Sequence, residues 1–220
     1  MQEAYMEKHI IEVCKVSKNF GNHVILKEVS LTFESGKIYG LIGYNGSGKT
    51  VLFKCICGFY HVDAGEIRID GRTMHKDMDM LERAGIIIEE PGYIRNFSGL
   101  KNLECLYRIR NKPNRKYLKE VMERVGLDPD SRKAVCHYSL GMRQRLAIAQ
   151  ATMEDQEILI LDEPMNGLDK AGVADMRSFF EEQKKQGKLI LMASHNKEDI
   201  DLLCDEVYEM DRGEVTRIRP

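Results

Sequence analysis

Eight consecutive residues carry the most specific chemistry in the chain: Gly43-Tyr44-Asn45-Gly46-Ser47-Gly48-Lys49-Thr50 has the form G-x-x-x-x-G-K-[ST]. Glycines at those positions let successive backbone N–H groups turn inward around phosphate oxygens. A helix starting there adds about half a positive charge at its N-terminus, Lys49 reaches the β- and γ-phosphates, and the Thr50 hydroxyl ligates Mg²⁺. The competing reading is a chance glycine-rich turn. Against it stand the apolar strand ending at Ile42 and the helix-like Val51-Leu52-Phe53-Lys54-Cys55-Ile56-Cys57 that follows.

A phosphate cradle needs a carboxylate at the end of another buried strand. Ile158-Leu159-Ile160-Leu161-Asp162-Glu163-Pro164 offers two in succession, at the carboxyl end where open α/β sheets bind ligands. Asp162 is expected to hold Mg²⁺ through its water shell. Glu163, pointing the other way if the strand keeps alternating, is expected to polarise the attacking water as general base, an effect usually worth about 10²–10⁴ in rate. Taken alone, an apolar run ending in Asp-Glu reads as a strand cap; beside the cradle the preference reverses.

Between these two segments lies Tyr138-Ser139-Leu140-Gly141-Met142-Arg143-Gln144-Arg145. Here the chain resembles the ATP-binding-cassette ATPases, whose signature LSGGQ is followed by a basic residue, Gln and Arg. Five of eight positions agree or nearly so; Tyr138, Leu140 and Met142 depart. The resemblance implies that Ser139 and Gly141 approach the γ-phosphate of ATP. Physically, Ser139 is a good N-cap, and the helix after it points its positive end outward.

Other landmarks of that family follow in order, and their roles rest on the resemblance. Phe20 lies where the family places an aromatic under the adenine, although a strand-end Phe is by itself a core residue. Asn166-Gly167-Leu168-Asp169 resembles the loop that contacts the opposite subunit, with Asp169 as the dimer contact. Ser194-His195 resembles the switch histidine at the γ-phosphate; a lone His at a strand end otherwise reads as structural. Ile86-Ile87-Ile88-Glu89-Glu90-Pro91-Gly92 puts Glu89 where the family usually has Gln. A carboxylate there binds Mg²⁺ or its water but cannot donate as an amide does. Together with Ser-Leu-Gly-Met, this pattern resembles the bacitracin and lantibiotic export or immunity branch.

The elements that must hold these residues are legible as short apolar runs: Lys37 to Ile42, Gly85 to Ile88, Glu157 to Leu161 and Lys188 to Met192. Continuous rather than alternating runs suit strands covered on both faces, hence a mostly parallel sheet. Ile11 to Phe20, Val24 to Phe33 and Glu66 to Asp70 alternate more, and Glu206 to Met210 with Glu214 to Ile218 enclose the turn Asp211-Arg212-Gly213; these predict antiparallel edge strands. From Arg95 to Asp155 the strand runs stop. Ser98, Tyr117 to Val125 and Ser139 mark three helices. The expected fold is α/β, a P-loop NTPase core with a mostly parallel sheet, an antiparallel β edge subdomain and an all-helical insert. One domain spans 1–220, with 1–94 and 156–220 as core and 95–155 as the helical signature subdomain.

Composition sets the class. The 220 residues suffice for one well-buried domain. Hydrophobic residues at 43% and charged residues at 31% exclude a disordered or collagen-like chain. Lys+Arg at 33 against Asp+Glu at 35 gives a formal charge of -2, with no basic field for nucleic acid. Glu181-Glu182-Gln183-Lys184-Lys185 reads as a solvated helix face. No apolar run reaches the roughly 18 to 20 residues that span a bilayer. The start MQEAYMEKHI has no signal core, no regulatory extension is evident after the last strand, and six cysteines spaced without CxxC fit free thiols in a reducing cytosol, with no zinc site. The expectation is an ATP-hydrolysing, Mg²⁺-dependent subunit that forms a homodimer of cassettes on ATP. It would power a separate multi-span transmembrane permease from the inner, cytoplasmic face of the cell membrane. The alternatives are a soluble cassette ATPase acting on ribosomes or nucleic acid, and a regulatory ATP-binding module of poor turnover.

Overall fold

The four continuous apolar runs become neighbouring strands because each strand must bury both of its faces. The structure, a computed structural model, describes residues 8–89 and 91–220; most of the polar start and Glu90 lie outside them. In chain order the elements are β1 (Ile10–Phe20), β2 (His23–Glu34), β3 (Ile38–Ile42), α1 (Lys49–Ile56), β4 (Ala64–Ile69), β5 (Arg72–Thr73), β6 (Ala84–Ile87), α2 (Gly99–Tyr107) and α3 (Arg115–Arg124). A 3-10 turn at Val135–His137 precedes α4 (Leu140–Thr152), β7 (Ile158–Asp162), α5 (Lys170–Lys185), β8 (Leu189–Ala193), α6 (Lys197–Leu203), β9 (Glu206–Asp211) and β10 (Glu214–Arg219).

The main sheet has the order β10-β9-β3-β8-β7-β6. Its inner pairings are parallel, and only β10 joins antiparallel, to β9. Alternation along each strand decides which core a residue joins. Ile38, Ile42, Leu159, Leu161, Ile190 and Met192 face the cluster shared with α4, α5 and α6. Tyr39, Leu41, Ile158, Ile160, Leu189 and Leu191 face the cluster shared with α1, β1 and β2.

Two expectations are adjusted. The alternating strands are not edges of the main sheet: β2-β1-β4-β5 form a separate antiparallel sheet, whose apolar side closes the second cluster. Strand β9 is interior, parallel to β3 on one side. Between β6 and β7 the described residues form helices, each started by a side-chain cap: Ser98 accepts from the Lys101 N–H, Asn114 from Tyr117 and Ser139 from Met142. This stretch has no core of its own. Leu100, Leu103, Leu118, Met122 and Leu146 belong to the cluster that covers one face of the main sheet, so the helices are fastened to the strands that carry the site. In the charge run on α5, Glu181, Glu182 and Lys185 are exposed, whereas Gln183 is buried.

Candidate active site

The glycine turn leaves β3 at Ile42 and enters α1 at Lys49. Gly43 has φ 154, and a Cβ there would lie 2.4 Å from the Met210 carbonyl oxygen, so a side chain is excluded by both conformation and space. Gly48, at φ 114, is the N-cap of α1; it supplies no side-chain cap, and no acidic residue stands in the first turn. The first-turn amides are therefore left to an external anion. Lys49 is buried, and its Nζ donates to the carbonyls of Gly43 at 2.7 Å and Tyr44 at 3.2 Å, inside the turn. The buried Ser47 hydroxyl has no hydrogen-bond partner. A cavity of about 400 Å³ opens here, lined among others by Asn45, Gly46, Lys49, Thr50, Asp162 and Glu163. Tyr44 is half exposed and does not line this cavity.

Thr50 Oγ1 donates to Asp162 Oδ2 at 2.5 Å. Burial pushes the Asp162 carboxyl above its ordinary range; the Thr50 hydrogen bond opposes this, while Glu163 and, more weakly, Glu89 add to it. A half-buried carboxylate beside a hydroxyl is a pair of oxygen donors short of a cation, which suits a hard divalent ion completed by phosphate oxygens and water. The residues present fit Mg²⁺ and a triphosphate.

Glu163 does not continue the strand. It adopts φ 52, donates its N–H to the Ala193 carbonyl at 2.9 Å, and is aimed by this left-handed turn rather than by alternation. Its carboxylate is gripped twice by one residue: the His195 N–H donates to Oε1 at 3.0 Å, and His195 Nδ1 lies 2.9 Å from Oε2. One cavity thus gathers the expected cradle, Asp162 and Glu163, with His195 bonded to the last.

Other expected residues lie apart from it. Ser139 and Leu140 are exposed at the start of α4, and none of Ser139, Gly141 and Asp169 lines the cavity. The exposed Asp169 caps α5, accepting from the Gly172 N–H at 2.8 Å. Phe20, 41% exposed, packs edge-on against Tyr60 with ring centres 5.3 Å apart, and it too is outside the cavity lining. Glu89 departs most from expectation. Its exposed carboxylate accepts from Lys54 Nζ at 2.5 Å instead of joining Thr50 and Asp162, because α1 presents a cation to it.

Two residues without an assigned role bond directly to expected site residues. Lys54 is four residues after Thr50, one helical turn along the same face of α1, and that spacing was the available signal. Gln144 on α4 donates from Nε2 to the carbonyls of Pro164 at 2.8 Å and Glu163 at 3.3 Å; nothing in the sequence names the partner of a helical glutamine.

The ABC transporter family matches residues 26–166. An uncharacterised ABC transporter ATP-binding protein of Bacillus subtilis, YybJ, is 40% identical over 204 residues, 93% of this chain and 94% of its own. The bacitracin transport ATP-binding protein BcrA of Enterococcus faecalis is 36% identical over 94% of this chain and 68% of its own. The lantibiotic transport ATP-binding protein SrtF of Streptococcus pyogenes is 32% identical over 94% and 89%. Among solved structures, the fold matches a bacterial ABC transporter cassette, MJ0796, described as a dimer, with a TM-score of 0.84 at 21% identity over 96% of this chain and 99% of that one. It also matches cbiO1 of Clostridium perfringens, part of an ABC transporter complex, with a TM-score of 0.81 at 27% identity over 96% and 88%. With the cradle, the carboxylate pair and this similarity over nearly the whole chain, the protein belongs to the ABC transporter family as one of its ATP-binding subunits.

Proposed function

We propose that two copies of this chain close head to tail around ATP, hydrolyse it with Mg²⁺, and so drive a separate multi-span permease that exports a peptide antibiotic or confers immunity to one. The observation that carries the reading is the Glu163 carboxylate, held at both oxygens by His195 beside the cavity of Lys49, Thr50 and Asp162. In this reading the inward amides and Lys49 bind the triphosphate, and Thr50 with Asp162 would hold the metal. Mg²⁺, when bound, neutralises charge on the β- and γ-phosphate oxygens. Glu163 accepts the proton of the attacking water, and His195 keeps that carboxylate aimed.

The Ser139 end of α4 lies outside its own chain's cavity. Its exposed, positively polarised start suits the γ-phosphate held by a second copy, with Asp169 on the same seam and Phe20 under the adenine. Once the γ-phosphate leaves, the shared anion is gone and the dimer opens. Among the described residues no helix is long and apolar enough to cross a membrane, so in this reading the chain sits on the inner face of the cell membrane through its permease. Support for the cargo class is that the relatives BcrA and SrtF are named for bacitracin and lantibiotic transport.

The test is ATP-dependent dimerisation of wild type and Glu163→Gln, followed with phosphate release. Wild type should dimerise transiently and release phosphate, while Glu163→Gln should retain ATP and stay dimeric. Equal hydrolysis by both removes Glu163 from its role. Survival on bacitracin and on a lantibiotic, with and without the chain and its co-purifying membrane protein, tests the cargo.

A further inference from the structure

Glu163 occupies a backbone position that needs support. A left-handed φ of 52 on a non-glycine residue is a sparsely populated, strained backbone position, and the residue before a proline is steered towards extended backbone; Pro164 follows directly. The conformation persists because its peptide groups are claimed on both sides. The Glu163 N–H goes to Ala193 O at 2.9 Å, and the Glu163 carbonyl accepts from the Asn166 N–H at 3.2 Å. The remaining claim comes from outside the loop: Gln144 Nε2, 2.8 Å from Pro164 O and 3.3 Å from Glu163 O.

Gln144 sits five residues after the Ser139 cap, on the second turn of the same helix. The first turns of α4 also touch the far end of the 163–169 loop. A Cβ on Gly141 would lie 3.0 Å from the Gly167 carbonyl oxygen, and Arg145 pairs with Asp175 of α5 at 3.2 Å. Cap, glutamine and loop are therefore joined by direct contacts.

From this geometry, and resting on the function proposed above, we infer that Gln144 is a positioning residue: its amide holds the strained turn that aims Glu163 and ties that turn to the Ser139 end of α4. In a head-to-tail dimer Ser139 and Glu163 of one chain serve different ATP molecules. Gln144 then joins the grip on one nucleotide to the alignment of the carboxylate at the other.

The experiment compares Gln144→Met, which keeps length and loses the donors, and Gln144→Glu, which turns an acceptor towards two carbonyl oxygens. For each, phosphate release against ATP concentration, ATP-dependent dimerisation and thermal midpoint are measured beside wild type. The expected result is kcat lowered about tenfold with KM within about twofold, an unchanged midpoint, and accumulation of an ATP-bound dimer because closure survives while chemistry slows. Unchanged kcat in both variants overturns the inference. So does a kcat loss that comes with a parallel loss of ATP affinity, of dimer or of midpoint in both variants, since that is a scaffold defect. A wild type that releases no phosphate overturns the proposed function itself, and the inference with it, and is thereby distinguished from a failure confined to Gln144.

Discussion

Thr50 Oγ1 and Asp162 Oδ2 meet at 2.5 Å although 112 residues separate them in sequence. One lies in the first turn of α1 and the other closes β7, so the contact exists only because the sheet brings the two strand ends, β3 and β7, to the same side. It also leaves a half-buried carboxylate with its affinity for protons raised chiefly by desolvation.

The first prediction follows from that raised proton affinity. Between the ordinary carboxylate range and the raised folded value, the folded chain holds a proton at Asp162 that the unfolded chain has released. Stability of the nucleotide-free protein therefore falls as pH rises through that window and stays lower above it. Asp162→Asn can still accept from Thr50 and carries no charge. It should raise the nucleotide-free thermal midpoint at neutral pH. The same variant should lose the extra stabilisation that Mg²⁺ adds to ATP binding. Thermal scans with ATP alone and with Mg²⁺ and ATP check both halves; a lower midpoint without nucleotide refutes the desolvation argument.

A second prediction concerns the two-point hold on Glu163. His195→Ala removes Nδ1 from Oε2 but leaves the residue 195 N–H on Oε1. Phosphate release should fall by about 10–100-fold, near or below the low end of the roughly 10²–10⁴ that a general base contributes, while ATP binding is retained. Rapid-quench and equilibrium binding measurements separate the two quantities.

Glu89 and Lys54 supply a third. The lysine stem is largely covered and the carboxylate is 68% exposed, and pairing with Glu89 is the first cause raising the Lys54 proton affinity. Exposed pairs contribute about 0–1 kcal/mol, so Glu89→Gln and Lys54→Met should each move the urea midpoint only slightly, and less again at high salt. Because Lys54 engages the carboxylate, Glu89→Gln should also leave the Mg²⁺ concentration for half-maximal ATP tightening unchanged. A clear shift would return Glu89 to the water shell of the metal.

What could be read from residues alone was chemistry whose parts are contiguous. The turn from Gly43 to Thr50 is one segment, and the strand-then-carboxylate run ending at Glu163 is another; both carry their meaning in order and spacing. The parallel strands were legible because a strand buried on both faces cannot alternate. Contacts set by packing were not. Alternation in β1, β2 and β4 showed one polar face, but not that they would form a sheet of their own. Strand β5, with only two residues, left no periodic trace. The turn at Glu163 depends on Ala193 and Gln144, and the partner of Glu89 depends on the roll of α1, quantities that no spacing within either segment encodes.

The separation of the Ser139 end from the Lys49 cavity leads to the last prediction. Lys49→Ala should disable both sites of a homodimer, since each lacks its ammonium. Ser139→Asp keeps an N-cap, and so costs α4 little, but puts a negative charge where the second copy's γ-phosphate would arrive; homodimers of that variant should be disabled as well. In a mixture, heterodimers place both lesions at one seam and leave the other with an intact lysine and an intact serine. Phosphate release should therefore reappear on mixing two inactive preparations, and should depend on the product of their concentrations while dimerisation is limiting. If mixing restores nothing while each variant still folds and wild type remains active, the two halves of the site are not shared between chains. The Ser139 end would then have to act on the nucleotide of its own chain, which the distinct placement of Ser139 and the cavity argues against.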